Sequence, residues 1–99
     1  MSWRHRLSEL KDTIAYVMAY APDRFPYRDY LPPDQQMDLD RAFDQLREEF
    51  DDVAKGRGES TEINQCRNGI EDAYKNYRKE DMKTGFLTIQ DVLHVLQKI

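Results

Sequence analysis

Apolar residues recur every three or four positions in four separate stretches of the chain, which is the spacing of one face of an α-helix. The first stripe follows a candidate helix cap at Ser2 and ends before Pro22; it contains Trp3, Leu7, Leu10, Ile14, Val17 and Ala21. The other three contain Leu39, Phe43, Leu46, Phe50 and Val53; then Ile63, Cys66, Ile70, Ala73 or Tyr74, and Tyr77; and finally Ile89, Val92 or Leu93, Leu96 and Ile99. The sequence therefore predicts a single all-α domain over residues 1–99.

Residues typical of helix ends divide these stretches. Pro33 suits the first position of a helix and Asp34 favours its positive end, so the second helix is predicted to begin within "LPPDQQ". The glycines of "KGRGES" end it, and Ser60 or Thr61 can accept hydrogen bonds from the free N–H groups of the third helix. These short connections predict a small antiparallel four-helix bundle with three long helices and one short C-terminal helix.

The segment "KEDMKTGFLTIQDVLHVL" could belong to a calcium-binding loop or to a joint between two helices. With Gly85 as the sixth residue of a calcium loop, Met82 falls at the third, where an oxygen ligand is needed. A thioether cannot supply that oxygen. We therefore expect a joint, in which Gly85 closes the third helix and Thr88, with Asp91 three residues on, caps the fourth.

Composition narrows the range of functions. Charged residues make up 34% of the chain and the net charge is −4, which argues against general binding to nucleic acids or anionic membranes. No apolar run is long enough to span a membrane, and the N-terminus lacks the apolar core of a signal peptide. The expected location is the cytoplasm.

Residues that could carry catalysis are few. His5 and His94 lie in no metal-ligand motif, and Cys66 falls on an apolar stripe, which favours a packed thiol. The chain contains no phosphate-binding loop and no nucleophile elbow. We expect a protein that is not an enzyme and needs no metal or cofactor.

The predicted outer face of the second helix is acidic, and its carboxylates are spaced so that most lie opposite the apolar stripe. This acidic ridge consists of Asp34, Asp38, Asp44, Glu48, Asp51 and Asp52, with Met37 among them. It could meet a basic cleft on a partner. Alternatively it is solvated or paired within the chain, since an antiparallel bundle brings Arg4, His5 and Arg6 towards its end and Lys75, Arg78 and Lys79 towards Asp34 and Asp38.

The connection over residues 21–33 combines aromatic and charged residues with four prolines. Arg24, Phe25, Tyr27, Arg28 and Tyr30 are of the types enriched at interface hot spots, and a proline-restrained loop loses less entropy on binding. The alternative is that the aromatic side chains fold back over the open end of the bundle.

The segment "YAPDRFPYRDYLPPDQQMDLDRAFDQL" resembles, in its layout, the small helical immunity proteins that neutralise NAD-degrading type VI secretion effectors. The resemblance covers roughly residues 14–55 and implies a cytoplasmic protein that blocks a cognate toxin. It would make Phe25, Tyr27, Arg28 and Tyr30 anchors, while Asp34, Asp38, Asp44 and Glu48 would attract basic groups. A self-associating helical scaffold or a regulatory adaptor is the alternative.

Overall fold

The computed structural model describes residues 3–99, and the expected cap at Ser2 lies outside that range. Residues 3–99 contain four α-helices, which are α1 (Trp3–Tyr20), α2 (Leu39–Arg57), α3 (Thr61–Arg78) and α4 (Met82–Gln97), with a 3₁₀ turn at Pro33–Gln35. The all-α, four-helix prediction is confirmed. The prediction of a short last helix is wrong, because α4 has 16 residues and the others have 18 or 19.

The helices form two antiparallel hairpins that pack side by side. α1 packs on α2 and α3 on α4, while α1 also contacts α4 and α2 contacts α3. Most of the predicted stripes face inwards and form one core cluster. Its largest fully buried side chains are Leu10, Ile14, Val17, Phe43, Leu46, Val53, Ile63, Cys66, Ile70, Tyr77, Ile89 and Leu96.

Helix α2 begins later than predicted. The chain leaves the 3₁₀ turn at Gln36, whose ψ of 153° is extended, so the proline-rich stretch never continues into the α-helix. Instead Asp38 caps α2, and its carboxylate accepts a hydrogen bond of 2.8 Å from the backbone N–H of Arg41. At the other end Gly58 (φ +96°) closes the helix, and Ser60 caps α3 as predicted.

The joint between α3 and α4 differs from the prediction at both residues. Glu80 (φ +64°) adopts the left-handed conformation that closes α3, donating to the Tyr77 carbonyl at 3.0 Å, and Asp81 caps α4. Gly85 instead lies within α4, buried beneath Tyr77, where an added Cβ would come within 3.0 Å of the ring. Thr88 is also inside α4, and its hydroxyl donates to the Thr84 carbonyl at 2.7 Å.

Because the left-handed conformation is disfavoured for residues with a Cβ, Glu80→Gly should stabilise the protein by about 1 kcal/mol. Urea unfolding followed by circular dichroism measures this difference. Lys79→Gly is the control, because Lys79 has an ordinary φ of −84° and glycine there should lower the unfolding free energy. A loss of stability in both variants would show that the Glu80 backbone is not strained.

Candidate protein interface

One end of the bundle gathers the ends of α1 and α3 and the starts of α2 and α4, because neighbouring helices are antiparallel. Asp40, in the first turn of α2, accepts a hydrogen bond from the Tyr74 hydroxyl and lies 3.7 Å from the Arg78 guanidinium. Tyr77 near the end of α3 covers Gly85 near the start of α4. We call this end, together with the connection over residues 21–38, the loop end.

The Gln36 side chain bridges the middle of the connection over residues 21–38. Its side-chain oxygen accepts from the Arg28 backbone N–H at 2.7 Å, and its amide nitrogen donates to the carbonyls of Arg28 at 2.8 Å and Leu31 at 2.9 Å. The Arg41 guanidinium donates to the carbonyl of Gln36 at 2.9 Å and to that of Asp34. The loop is therefore tied to the first turn of α2 by two side chains that the sequence analysis did not select.

The aromatic residues of the loop divide into one packed and two exposed side chains. Phe25 packs against the core and lies 5.5 Å from the Tyr16 ring, centroid to centroid, as the folded-back alternative predicts. Tyr27 is 64% exposed and Tyr30 76% exposed. Phe25 thus follows the folded-back alternative, while Tyr27 and Tyr30 remain exposed to solvent.

The two arginines of the loop are both exposed. The pKa of Arg28 is raised above its ordinary value, mainly by the Tyr16 hydroxyl and to a smaller extent by Tyr30. The Tyr16 hydroxyl nevertheless has no partner within hydrogen-bond geometry among the described residues. Arg28 also borders an open cavity of about 260 Å³ between α1 and α2, and Met37 is another of its lining residues. Met37 packs against the core rather than lying within the acidic ridge, because it precedes α2.

A second group of exposed apolar side chains lies at the same end, on the first two turns of α4. Met82 is 44%, Phe86 37% and Leu87 47% exposed. Among residues 3–99, every large apolar side chain classed as exposed belongs either to this group or to the loop tyrosines. Exposed apolar area concentrated at one end of a small domain is typical of a binding surface.

Three of the six carboxylates of the acidic ridge have ion-pair partners among the described residues. Arg6 pairs with Asp52 at 2.8 Å and with Glu48 at 3.6 Å, which confirms the predicted contact between the start of α1 and the end of α2. Asp44 pairs with Arg47 at 3.0 Å. At the other end of α2, Arg78 pairs with Asp40 and not with Asp34 or Asp38 as predicted, because α2 begins with Leu39.

The predicted site residues lie at two levels along the bundle. Arg24, Tyr27, Arg28, Asp34 and Asp38 are exposed on the loop end, together with Tyr30. Asp44 and Glu48 lie farther along α2; Glu48, ten residues after Asp38, is about 15 Å away at the rise of an α-helix. The structure places these two with the internal ion pairs of α2.

Glu49 is a buried carboxylate between α1 and α2 that the sequence analysis did not select. Only 4% of the residue is exposed; one carboxylate oxygen accepts from the Gln45 amide at 3.4 Å, and the other has no partner among the described residues. Burial raises its pKa, while Thr13, Gln45 and Arg6 act in the opposite direction. The ionised form is thus less stable in the folded protein than in the unfolded chain.

Glu49→Gln should stabilise the protein by about 1 kcal/mol at pH 7, because it removes an incompletely paired buried charge. Because the pKa of Glu49 is raised in the folded protein, the ionised side chain destabilises the wild type at pH values above that folded-state pKa. This destabilisation decreases as the pH falls through the folded-state pKa and is absent below the ordinary value of 4.5. Urea unfolding at pH 7 and pH 3.5 measures the difference. Asp51→Asn, at an exposed position of α2, is the control; an equal gain from Glu49→Gln at both pH values would contradict the assignment.

The remaining candidates for chemistry lie on α1, α3 and α4. His5 lies 3.0 Å from Glu9, and His94 is exposed on α4. Cys66 is buried in the core, where burial raises its pKa to about 11, so the prediction of a packed thiol is confirmed. Within residues 3–99, no three His, Cys, Asp or Glu side chains are grouped as a metal site would require.

No family model, curated protein or solved structure matches this chain. Over the described residues, no helix combines the length and the apolar character needed to cross a membrane.

Proposed function

We propose that this protein is a non-catalytic binding domain whose loop end covers a partner protein, and that the partner is a bacterial toxin. The observation that carries the proposal is the pair of exposed tyrosines, Tyr27 and Tyr30, on a loop held in place by Gln36. A large aromatic side chain contributes much contact area for the loss of few rotatable bonds.

The bracing of the loop supports a binding role on energetic grounds. An exposed tyrosine on a mobile loop would lose conformational entropy on binding, and that loss would subtract from the affinity. Here the backbone around Arg28 and Leu31 is already held by three hydrogen bonds of the Gln36 side chain. Exposure of Met82, Phe86 and Leu87 at the same end extends the area available to a partner.

The assignment to toxin immunity rests on the layout of the segment from Tyr20 to Leu46, which resembles immunity proteins of type VI secretion systems. Under this proposal the protein acts in the cytoplasm and blocks the toxin by covering its active-site cleft. Carboxylates at the loop end would favour a cleft with basic residues.

Growth of a bacterial host tests the proposal. Each open reading frame next to the gene is expressed alone and together with this protein, and one frame should arrest growth that coexpression restores. A Tyr27→Ala/Tyr30→Ala variant should fail to restore growth, whereas the matched surface variant Asp72→Asn, on α3, should succeed. Rescue by both variants would exclude the loop end as the inhibitory surface, and the absence of any toxic neighbour would contradict the immunity function.

Self-association is the second candidate, and the exposed group Met82, Phe86 and Leu87 favours it. Light scattering of the purified protein separates the two functions. A free inhibitor should have the monomer mass of 11.8 kDa. A dimer that Phe86→Ser converts to a monomer would support a scaffold instead.

A further inference from the structure

An open cleft of about 390 Å³ lies at the loop end, between the start of the connection, the start of α2 and the end of α3. Four carboxylates line it, from Asp23, Asp38, Asp40 and Glu80, against a single cation, Arg78. The sequence analysis did not bring these residues together, because three separate segments contribute them.

The same cleft has an apolar part, formed by Pro22, Leu39 and Tyr77. Leu39 and Tyr77 are buried members of the core. A cleft that combines apolar walls with carboxylates matches a ligand with an apolar stem and a cationic head, and lysine and arginine side chains have this form.

Two of the four carboxylates already have partners within the chain. Asp38 accepts from the Arg41 backbone N–H at 2.8 Å, and Asp40 accepts from the Tyr74 hydroxyl and lies 3.7 Å from Arg78. The ion pair of Arg78 is with Asp40, and one guanidinium cannot balance the four carboxylates of the cleft.

The side-chain carboxylates of Asp23 and Glu80 form no hydrogen bond or ion pair with other described residues, and both residues are exposed. Tyr77 provides an independent observation: only 2% of it is exposed, and its hydroxyl has no hydrogen-bond partner among the described residues. A buried hydroxyl without a partner is unusual in a native structure. The cleft thus offers two free carboxylates and borders a residue with an unsatisfied polar atom.

We propose that this cleft binds a lysine or arginine side chain of the protein partner, with the stem against the apolar residues and the charge between Asp23 and Glu80. The inference rests on the proposed binding function of the loop end and adds the chemistry that the partner must present. It also places the electrostatic recognition in the cleft rather than along α2, where Glu48 and Asp52 are paired with Arg6, and Asp44 with Arg47.

The test uses the isolated protein and short peptides, so it is independent of whether the partner is a toxin. ¹H–¹⁵N spectra are recorded during titration with acetyl-Gly-Lys-Gly-amide and with the arginine equivalent. At least one should give saturable shifts confined to residues 22–23, 38–40 and 77–80, with Kd on the order of millimolar. The norleucine peptide, which has a similar stem and no charge, should not.

Asp23→Asn/Glu80→Gln should weaken this binding about fivefold without affecting the fold, because neither side chain has a partner in the chain. The matched control is Asp72→Asn/Asp91→Asn, which makes the same change in net charge beside the α3–α4 groove. Equal weakening by the two double variants, or the same shifts with the norleucine peptide, would overturn the proposal. Failure of the toxin experiment alone would leave these peptide results unchanged.

Discussion

Tyr27→Ala should weaken binding of the partner by about 2 kcal/mol, or roughly 30-fold in Kd, while the unfolding free energy stays within about 0.5 kcal/mol of the wild type. The affinity should fall while the stability stays nearly constant, because Tyr27 is 64% exposed and forms little of the core. Calorimetry with the purified partner gives Kd, and urea unfolding gives the stability.

Tyr27→Phe is the matched control for this measurement. It keeps the ring and most of the contact area, so it should retain most of the affinity if the aromatic surface carries the binding. An unchanged Kd for Tyr27→Ala would remove Tyr27 from the interface. Tyr30, which is 76% exposed, would then be the next residue to test by the same pair of substitutions.

Gln36→Ala should release the loop and lower the unfolding free energy by about 1–2 kcal/mol, because three hydrogen bonds of one side chain are lost together. Amide hydrogen exchange at Arg28 should accelerate, since its N–H loses the Gln36 oxygen as acceptor. The affinity for the partner should also fall, because the loop must then be ordered on binding.

Gln36→Glu distinguishes this bracing from simple loss of packing. It keeps the size of the side chain and an acceptor for the Arg28 N–H, but it places a carboxylate oxygen against the carbonyls of Arg28 and Leu31. We expect it to destabilise the loop about as much as Gln36→Ala does. Protection at Arg28 equal to that of the wild type in both variants would show that the loop is held by other contacts.

The helical periodicity was sufficient to predict most of the fold, because each stripe is a local property of its own helix. Pairing of Arg6 with Glu48 and Asp52 was also predictable, since antiparallel packing alone brings those ends together. The start of α2 was misplaced because Pro33 has the features of a first helical residue. The decisive signal was Asp38, a strong capping residue directly before the apolar stripe.

The α3–α4 joint and the cleft could not be predicted in the same way. Gly85 has the conformational freedom that a helix end uses, but it is needed beneath the Tyr77 ring, a contact that depends on how two helices pack. Glu80 at φ +64° contradicts the local preference of its own residue type. The cleft joins Asp23 to Glu80, which are 57 positions apart in sequence, so only the tertiary structure reveals it.

The arrangement of the helices as two hairpins has a consequence for folding and binding together. Within the described residues, the backbones of α1 and α3 do not come within 8 Å of each other, and neither do those of α2 and α4, so the backbones of the two hairpins approach each other along α1–α4 and α2–α3. Pro22 and Asp23 line the cleft from one hairpin, and Tyr77 and Glu80 line it from the other. The cleft therefore exists only when the hairpins are docked. By mass action, a ligand bound in the cleft stabilises the docked state against separation of the hairpins.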